Sequence, residues 1–166
     1  MPAGADAAWL EKLRASGIRV DREGRFIHEG EEVRHEGLKA ALFRWLDRLP
    51  PDDPAARGRG YILRLDERRY AYLEVDDTPL VARAARVDRD RIWLSLSDGS
   101  EEPLDPATLT VDDDGVLRAW VRGGRIEARL ASFAVAALAD LLGESGGRPV
   151  LTLAGRQVPL PARPGG

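Results

Sequence analysis

The 166-residue chain contains no cysteine, only two histidines and only two lysines. Without cysteine there is no disulfide, no thiolate nucleophile, no iron–sulfur cluster and no cysteine-ligated zinc. That composition fits a reducing compartment. Two histidines, His28 and His35, cannot complete a three-histidine metal set. Lys12 and Lys39 are the exceptions among 25 basic residues, the rest being arginine. The basic residues are mixed with 28 acidic ones, for a net charge of −3, and form no run. Nucleic-acid binding usually requires a basic face, so no nucleic-acid partner is expected. Long apolar runs are also missing. The longest, Phe133 to Leu142, is interrupted by Asp140 and falls far short of the roughly 20 residues of a membrane span. The stretch Met1-Pro2-Ala3-Gly4-Ala5-Asp6 lacks the basic and apolar regions of a signal peptide. The expectation is a cytoplasmic protein with no membrane partner.

What remains is a globular composition, 43% hydrophobic and 32% charged. Residues 6 to 16 read as a short helix, with Asp6 as cap, Trp9, Leu10 and Leu13 on one face and Gly17 as terminator. Ile18 to Val20 and Arg25 to His28 flank the turn Asp21 to Gly24, a hairpin signal. Leu38, Ala41, Leu42, Trp45, Leu46 and Leu49 form one helical stripe, stopped by Pro50-Pro51. Two hairpins follow, Tyr61–Leu65 with Tyr70–Val75 and Leu80–Val87 with Ile92–Leu96. Residues 97 to 108 form an acidic loop with Gly and Pro.

The opening pattern then returns. Val111-Asp112-Asp113-Asp114-Gly115 echoes Val20 to Gly24 at an offset of 91, and Leu117 to Trp120 supplies the next strand. Leu130, Phe133, Ala134, Ala137, Leu138 and Leu141 repeat the spacing of the first helix stripe. Val150–Leu153 and Arg156–Leu160 close with a hairpin around Ala154-Gly155. The expected fold is α+β: two ββαββ-like repeats packed together, with an extra β-hairpin between them and a short N-terminal helix. The corresponding boundaries are 1–17 for the helix, 18–108 for the first repeat plus hairpin, 109–160 for the second repeat, and 161–166 for a frayed tail. Each repeat has an apolar helix face and a half-apolar sheet to bury, which favours packing them on each other.

Over residues 18 to 160 the chain resembles a bacterial family known as domain of unknown function 1285. Asp21 and Gly24-Arg25-Phe26-Ile27-His28-Glu29-Gly30 resemble that family's turn, aromatic and His-x-Gly. Leu73 to Leu80 resembles its V-E-D-A-P-F segment, and Val121-Arg122 through Ile126-Glu127-Ala128 its V-R-D-G-L-E-A. Ser132 stands where the family usually has Arg, and Gly123-Gly124-Arg125 is one residue longer. The resemblance implies an α+β fold with repeated motifs and a role in signalling or regulation. It implies no reaction.

Several motifs invite chemistry. His28 and His35 share a segment with four glutamates, but H-E-x-x-H spacing is absent, so no metal is expected. Asp112 to Gly115 resembles a calcium loop, yet Val121 occupies the position of the bidentate glutamate, so it reads as a turn. Asp76-Asp77-Thr78-Pro79 leaves a strand, one Asp solvated and one in a turn. Arg122 and Glu127 flank Gly123-Gly124, where they can bind an anion or pair with each other. No phosphate loop or nucleophile elbow is present. No cofactor is expected.

The leading functional expectation is a non-catalytic binding or regulatory module for a small anionic ligand or a partner protein. Its candidate residues are His28, as hydrogen-bond or proton switch, Asp77, Arg122, as anion anchor, and Glu127. One alternative is a small hydrolase using His28 with an acidic partner, which needs His28 in a cleft within hydrogen-bond reach of a carboxylate. Another is a structural homodimer joined by exposed sheet edges.

Overall fold

The computed structural model describes residues 14–164 and divides into two units, Met1–Pro79 and Leu80–Gly166. The first unit runs β1 (Ala15–Val20), β2 (Phe26–His28), β3 (Glu31–Glu32), α1 (Glu36–Trp45), β4 (Leu46–Arg48), β5 (Tyr61–Arg64) and β6 (Tyr70–Val75). Its six strands lie in the order β3-β2-β1-β6-β5-β4. Two three-stranded antiparallel meanders are thus joined by one parallel pair, β1 with β6. One face buries Val20, Phe26, Leu63 and Leu73 with Leu42 and Phe43 of α1. His35 caps α1 by accepting the Leu38 N–H at its Nδ1, 3.1 Å away.

The second unit runs β7 (Leu80–Asp88), β8 (Arg91–Leu96), β9 (Glu101–Pro103), β10 (Thr110–Val111), β11 (Leu117–Val121), β12 (Ile126–Leu130), α2 (Ser132–Leu138), β13 (Leu142–Ser145), β14 (Arg148–Leu153) and β15 (Arg156–Pro159). Its main sheet is again two antiparallel meanders joined by a parallel pair, in the order β10-β11-β12-β7-β8-β9 with β12 alongside β7. Strands β13, β14 and β15 make a separate three-stranded sheet. The duplicated sheets and the α+β class are as expected.

The ββαββ pattern is not followed in detail. In the first unit the strands after the helix return to pair with β1. In the second they form their own sheet, and the place beside β12 is taken by β7, the first strand of the expected extra hairpin. That hairpin is extended to a meander by β9. The predicted N-terminal helix lies mostly outside the described residues, and its last two positions, Ala15 and Ser16, already belong to β1.

Both helices are shorter than their stripes. At Leu46 the backbone turns extended, with φ −58 and ψ 122, and Leu46 pairs with Leu63. Leu46 and Leu49 are buried from a strand and its exit. An i, i+3 apolar spacing does not tell a continuing helix from a turn into an edge strand. In the second unit Leu130 is in β12, so the buried row is Leu130, Ala134 and Leu138. Phe133, one position off that row, is 82% exposed.

The repeated turn is close in atomic detail. Asp21 Oδ1 accepts the Glu23 and Arg25 N–H groups, and Arg25 Nε donates to Asp21 Oδ2 at 2.7 Å. Asp112 Oδ1 accepts the Asp114 and Val116 N–H groups, and Arg118 Nη1 donates to Asp112 Oδ2 at 2.8 Å. In each, the glycine N–H bonds back to the aspartate carbonyl at 3.0 Å. Both glycines have positive φ, 82° and 79°, which is where glycine is favoured.

Both carboxyls are held below their ordinary value of 3.8. For Asp21, burial pushes the value up but the Arg25 amide and guanidinium outweigh it. For Asp112, the Arg118 guanidinium acts first and the Val116 amide next. A depressed carboxyl stabilises the fold above its unfolded pKa, and that contribution fades as pH falls through the lower folded value. Asp21→Asn and Asp112→Asn should therefore lower the urea midpoint at neutral pH. The deficit should shrink as pH falls below the ordinary carboxyl value of 3.8 and through the lower folded values, where wild type loses the same interactions.

Candidate functional site

The four residues singled out from the sequence are distributed over both units. In the first unit, His28 ends β2 opposite Ile18 and is exposed. Its side chain makes no hydrogen bond or ion pair with any described residue. The acid partner required by a hydrolase reading is absent there among the described residues. Asp77 is 8% exposed and leads into the buried residues Thr78, Pro79 and Leu80. Its neighbour Asp76 is exposed and takes the Arg19 guanidinium at 2.5 Å. Strand β1 lies between the strands that carry His28 and lead to Asp77.

In the second unit Arg122 sits in the β11–β12 turn with φ 52. Its Nη2 donates to Asp98 Oδ2 at 2.8 Å and its backbone N–H to Glu102 Oε1 at 2.9 Å. Burial pushes the Asp98 carboxyl up, but Ser100 and then Arg122 outweigh it and the net shift is downward. Arg122 thus holds its own turn to the β8–β9 turn. Glu127, 2% exposed, receives two hydrogen bonds from Arg163, Nε to Oε2 at 3.2 Å and Nη2 to Oε1 at 2.5 Å. The two residues considered as a mutual pair take different partners. The segment after Leu160, read as a frayed tail, is held here by Arg163, by a bridge from Val111 to Ala162, and by the Val111 N–H on the Pro161 carbonyl.

A cleft of about 590 Å³ lies within the first unit, inside the usual size range for small-molecule sites. Its floor is the irregular stretch of the β1–β6 pairing. Ala15 is opposite Tyr72 and Arg19 opposite Glu74, so β1 uses two more residues than β6 over the same span. Gly17, at φ 67, makes the bend. Ser16 stitches it, donating from Oγ to the Tyr72 carbonyl at 2.6 Å and accepting the Ile18 N–H at 3.1 Å.

The opposite wall is Arg57-Gly58-Arg59, followed by Tyr61. This wall is braced from behind. The Gly60 N–H bonds to the Arg57 carbonyl and the Leu49 N–H to the Gly60 carbonyl, both at 2.8 Å. Arg48 Nε donates to the Arg59 carbonyl at 2.9 Å. A Cβ on Gly60 would stand 3.2 Å from the Leu49 carbonyl oxygen, and its φ is 82°, so the close approach needs glycine.

Arginine and tyrosine interleave along this side of the sheet. The Arg57 guanidinium carbon lies 4.5 Å over the Tyr72 ring centroid, and Arg14 and Arg64 lie 4.0 and 5.8 Å over Tyr70. Tyr70 and Tyr72 meet edge to face at 6.0 Å. Such contacts are attractive and keep the guanidinium groups over the rings. Residues 52 to 60, between Pro50-Pro51 and the hairpin that starts at Tyr61, carry no apolar periodicity. The signal within them is two arginines separated by a glycine and followed by an aromatic.

Among the described residues no group of three His, Asp or Glu gathers to hold a metal ion. No helix among them is long and apolar enough to cross a membrane.

Comparison with solved structures establishes the fold. A DUF1285 family protein from Silicibacter pomeroyi DSS-3 is 18% identical with a TM-score of 0.69, covering 89% of this chain and 81% of that one. A second DUF1285 family protein, from Shewanella baltica OS155, is 16% identical with a TM-score of 0.55, covering 72% of this chain and 87% of that one. The chain therefore has a DUF1285-like fold, in agreement with the motif resemblance. No family model and no curated protein matches the sequence.

Proposed function

We propose that the protein is a non-catalytic binding module of regulatory type whose first unit takes a small anionic ligand. The observation that supports this is the placement of Arg57 and Arg59 on the braced wall of the β1–β6 cleft. Arginine forks match phosphate and carboxylate oxygens. The glycine between them, exposed and with no atom within 4 Å of a would-be Cβ, leaves the backbone approachable. Bracing by Gly60 and Arg48 lowers the ordering cost of binding.

Thermal shift with phosphate, pyrophosphate and phosphorylated metabolites tests the reading. A ligand at 100 times its dissociation constant adds about 2.7 kcal/mol. That should raise the unfolding midpoint by roughly 5–10 °C in a chain of this size. The shift should disappear in Arg59→Ala. A panel with no shift, or a shift unchanged in Arg57→Ala/Arg59→Ala, would rule this cleft out as the anion site.

A further inference from the structure

We infer that the ligand of this cleft carries a flat nitrogenous ring as well as its anionic group, placing it among the nucleoside phosphates. The inference rests on the binding reading above and adds the chemical class.

Three features of the cleft distinguish a ring-bearing ligand from a bare anion. The first is the Tyr72–Arg57 stack. Arg57 is exposed, and its guanidinium covers the Tyr72 ring at 4.5 Å. A guanidinium plane backed by an aromatic ring is a platform on which a base can lie, as bases do on arginine and aromatic side chains in single-strand recognition. The second is the edge-to-face packing of Tyr70 on Tyr72, centroids 6.0 Å apart, which steadies the ring beneath Arg57. The third is Glu74, exposed and lining the same cleft. A carboxylate repels a bare anion. It is useful to a ligand with N–H groups at the end remote from its phosphate, since an ionised carboxylate only accepts hydrogen bonds. Guanine presents adjacent ring and amino N–H groups of this kind.

The roles divide accordingly. Arg59 meets the phosphate, Arg57 on Tyr72 stacks with the base, and Glu74 accepts from its edge. Gly58 between the two arginines has φ 55 and no side chain to obstruct the sugar.

Calorimetric titration of the full chain with guanosine 5′-monophosphate, ribose 5-phosphate and inorganic phosphate tests the assignment. The nucleotide should bind about ten-fold or more tighter than ribose 5-phosphate, the increment expected of one stacked base. Arg57→Lys keeps the charge and removes the plane. It should lower nucleotide affinity by about ten-fold while leaving ribose 5-phosphate nearly unchanged. Glu74→Gln should strengthen ribose 5-phosphate and weaken the nucleotide, narrowing the gap between them. Equal affinity for all three probes would overturn the ring inference and leave the anion reading standing. Failure of all three to bind would overturn both. Both substitutions are at exposed positions, so the folded protein remains available for each measurement.

Discussion

Arg163→Ala should destabilise the second unit by about 3–5 kcal/mol, the cost of stranding one member of a buried ion pair. Its partner Glu127 is 2% exposed on β12, and the Arg163 side chain is 13% exposed. The two hydrogen bonds between them form a fork, the strongest geometry available to this pair. Removing the guanidinium leaves a carboxylate with little water to take its place.

The surrounding face sharpens the expectation. Arg118 and Arg129 are directly opposite each other on β11 and β12, an arrangement of like charges that costs stability unless acids share the face. Asp112 answers Arg118 at 2.8 Å. Glu127 and Arg163 belong to the same charge set, so Glu127→Gln should also be costly. The double replacement Glu127→Gln/Arg163→Ala should cost less than the sum of the singles, because neither member of the pair is left charged without the other. Urea unfolding of the four proteins closes the cycle. A coupling energy near zero would mean that the fork contributes nothing net. Truncation after Leu160 should reproduce the single Arg163 effect and add the loss of the Val111 bridge.

The contrast between this pair and the sequence reading shows what patterns carry. Turn chemistry and alternation are local, and they located the Asp21 and Asp112 turns, both hairpins between 61 and 96, and the last hairpin to within a residue or two. Partners across the sheet are not local. Glu127 looked like a companion of Arg122 because a two-glycine turn separates them in sequence. The pleat instead places Glu127 on the face reached by Arg163, from a segment whose Pro and Gly content reads as fraying. Arg122, in the turn itself with φ 52, bonds instead to Asp98 and Glu102.

The cleft was hidden for a related reason. A two-residue bulge in a parallel pairing has no sequence signature beyond one glycine, Gly17, which equally reads as a helix terminator. Strand order was the least legible feature. The two linear patterns around α1 and α2 are nearly the same. The long-range choice of β6 beside β1, but β7 beside β12, depends on pairings between distant segments that no local window contains.

A second large effect follows from where the helix stripes mislead. Phe26→Ala should cost about 3–5 kcal/mol, a sizeable part of the 5–15 kcal/mol that typically holds a domain together. Phe133→Ala should change stability by about 0.5 kcal/mol at most. Periodicity ranks them the other way. Phe133 sits on a six-position apolar stripe, whereas Phe26 sits on a strand of three residues. In the structure Phe26 is 1% exposed and meets Phe43 edge to face, with centroids 4.8 Å apart and planes at 62°. That pair ties β2 to α1, and it carries an aromatic increment beyond area burial. Phe43 itself lies off the predicted stripe, so the core of the first unit is organised by a residue the helical pattern did not include. Denaturant titrations followed by tryptophan fluorescence, with Trp45 in α1 as a reporter of the first unit, separate the cases. A loss above about 2 kcal/mol in Phe133→Ala would mean that a surface in solution covers this ring. A loss below about 1 kcal/mol in Phe26→Ala would mean that the Phe26–Phe43 contact does not anchor the first unit's core.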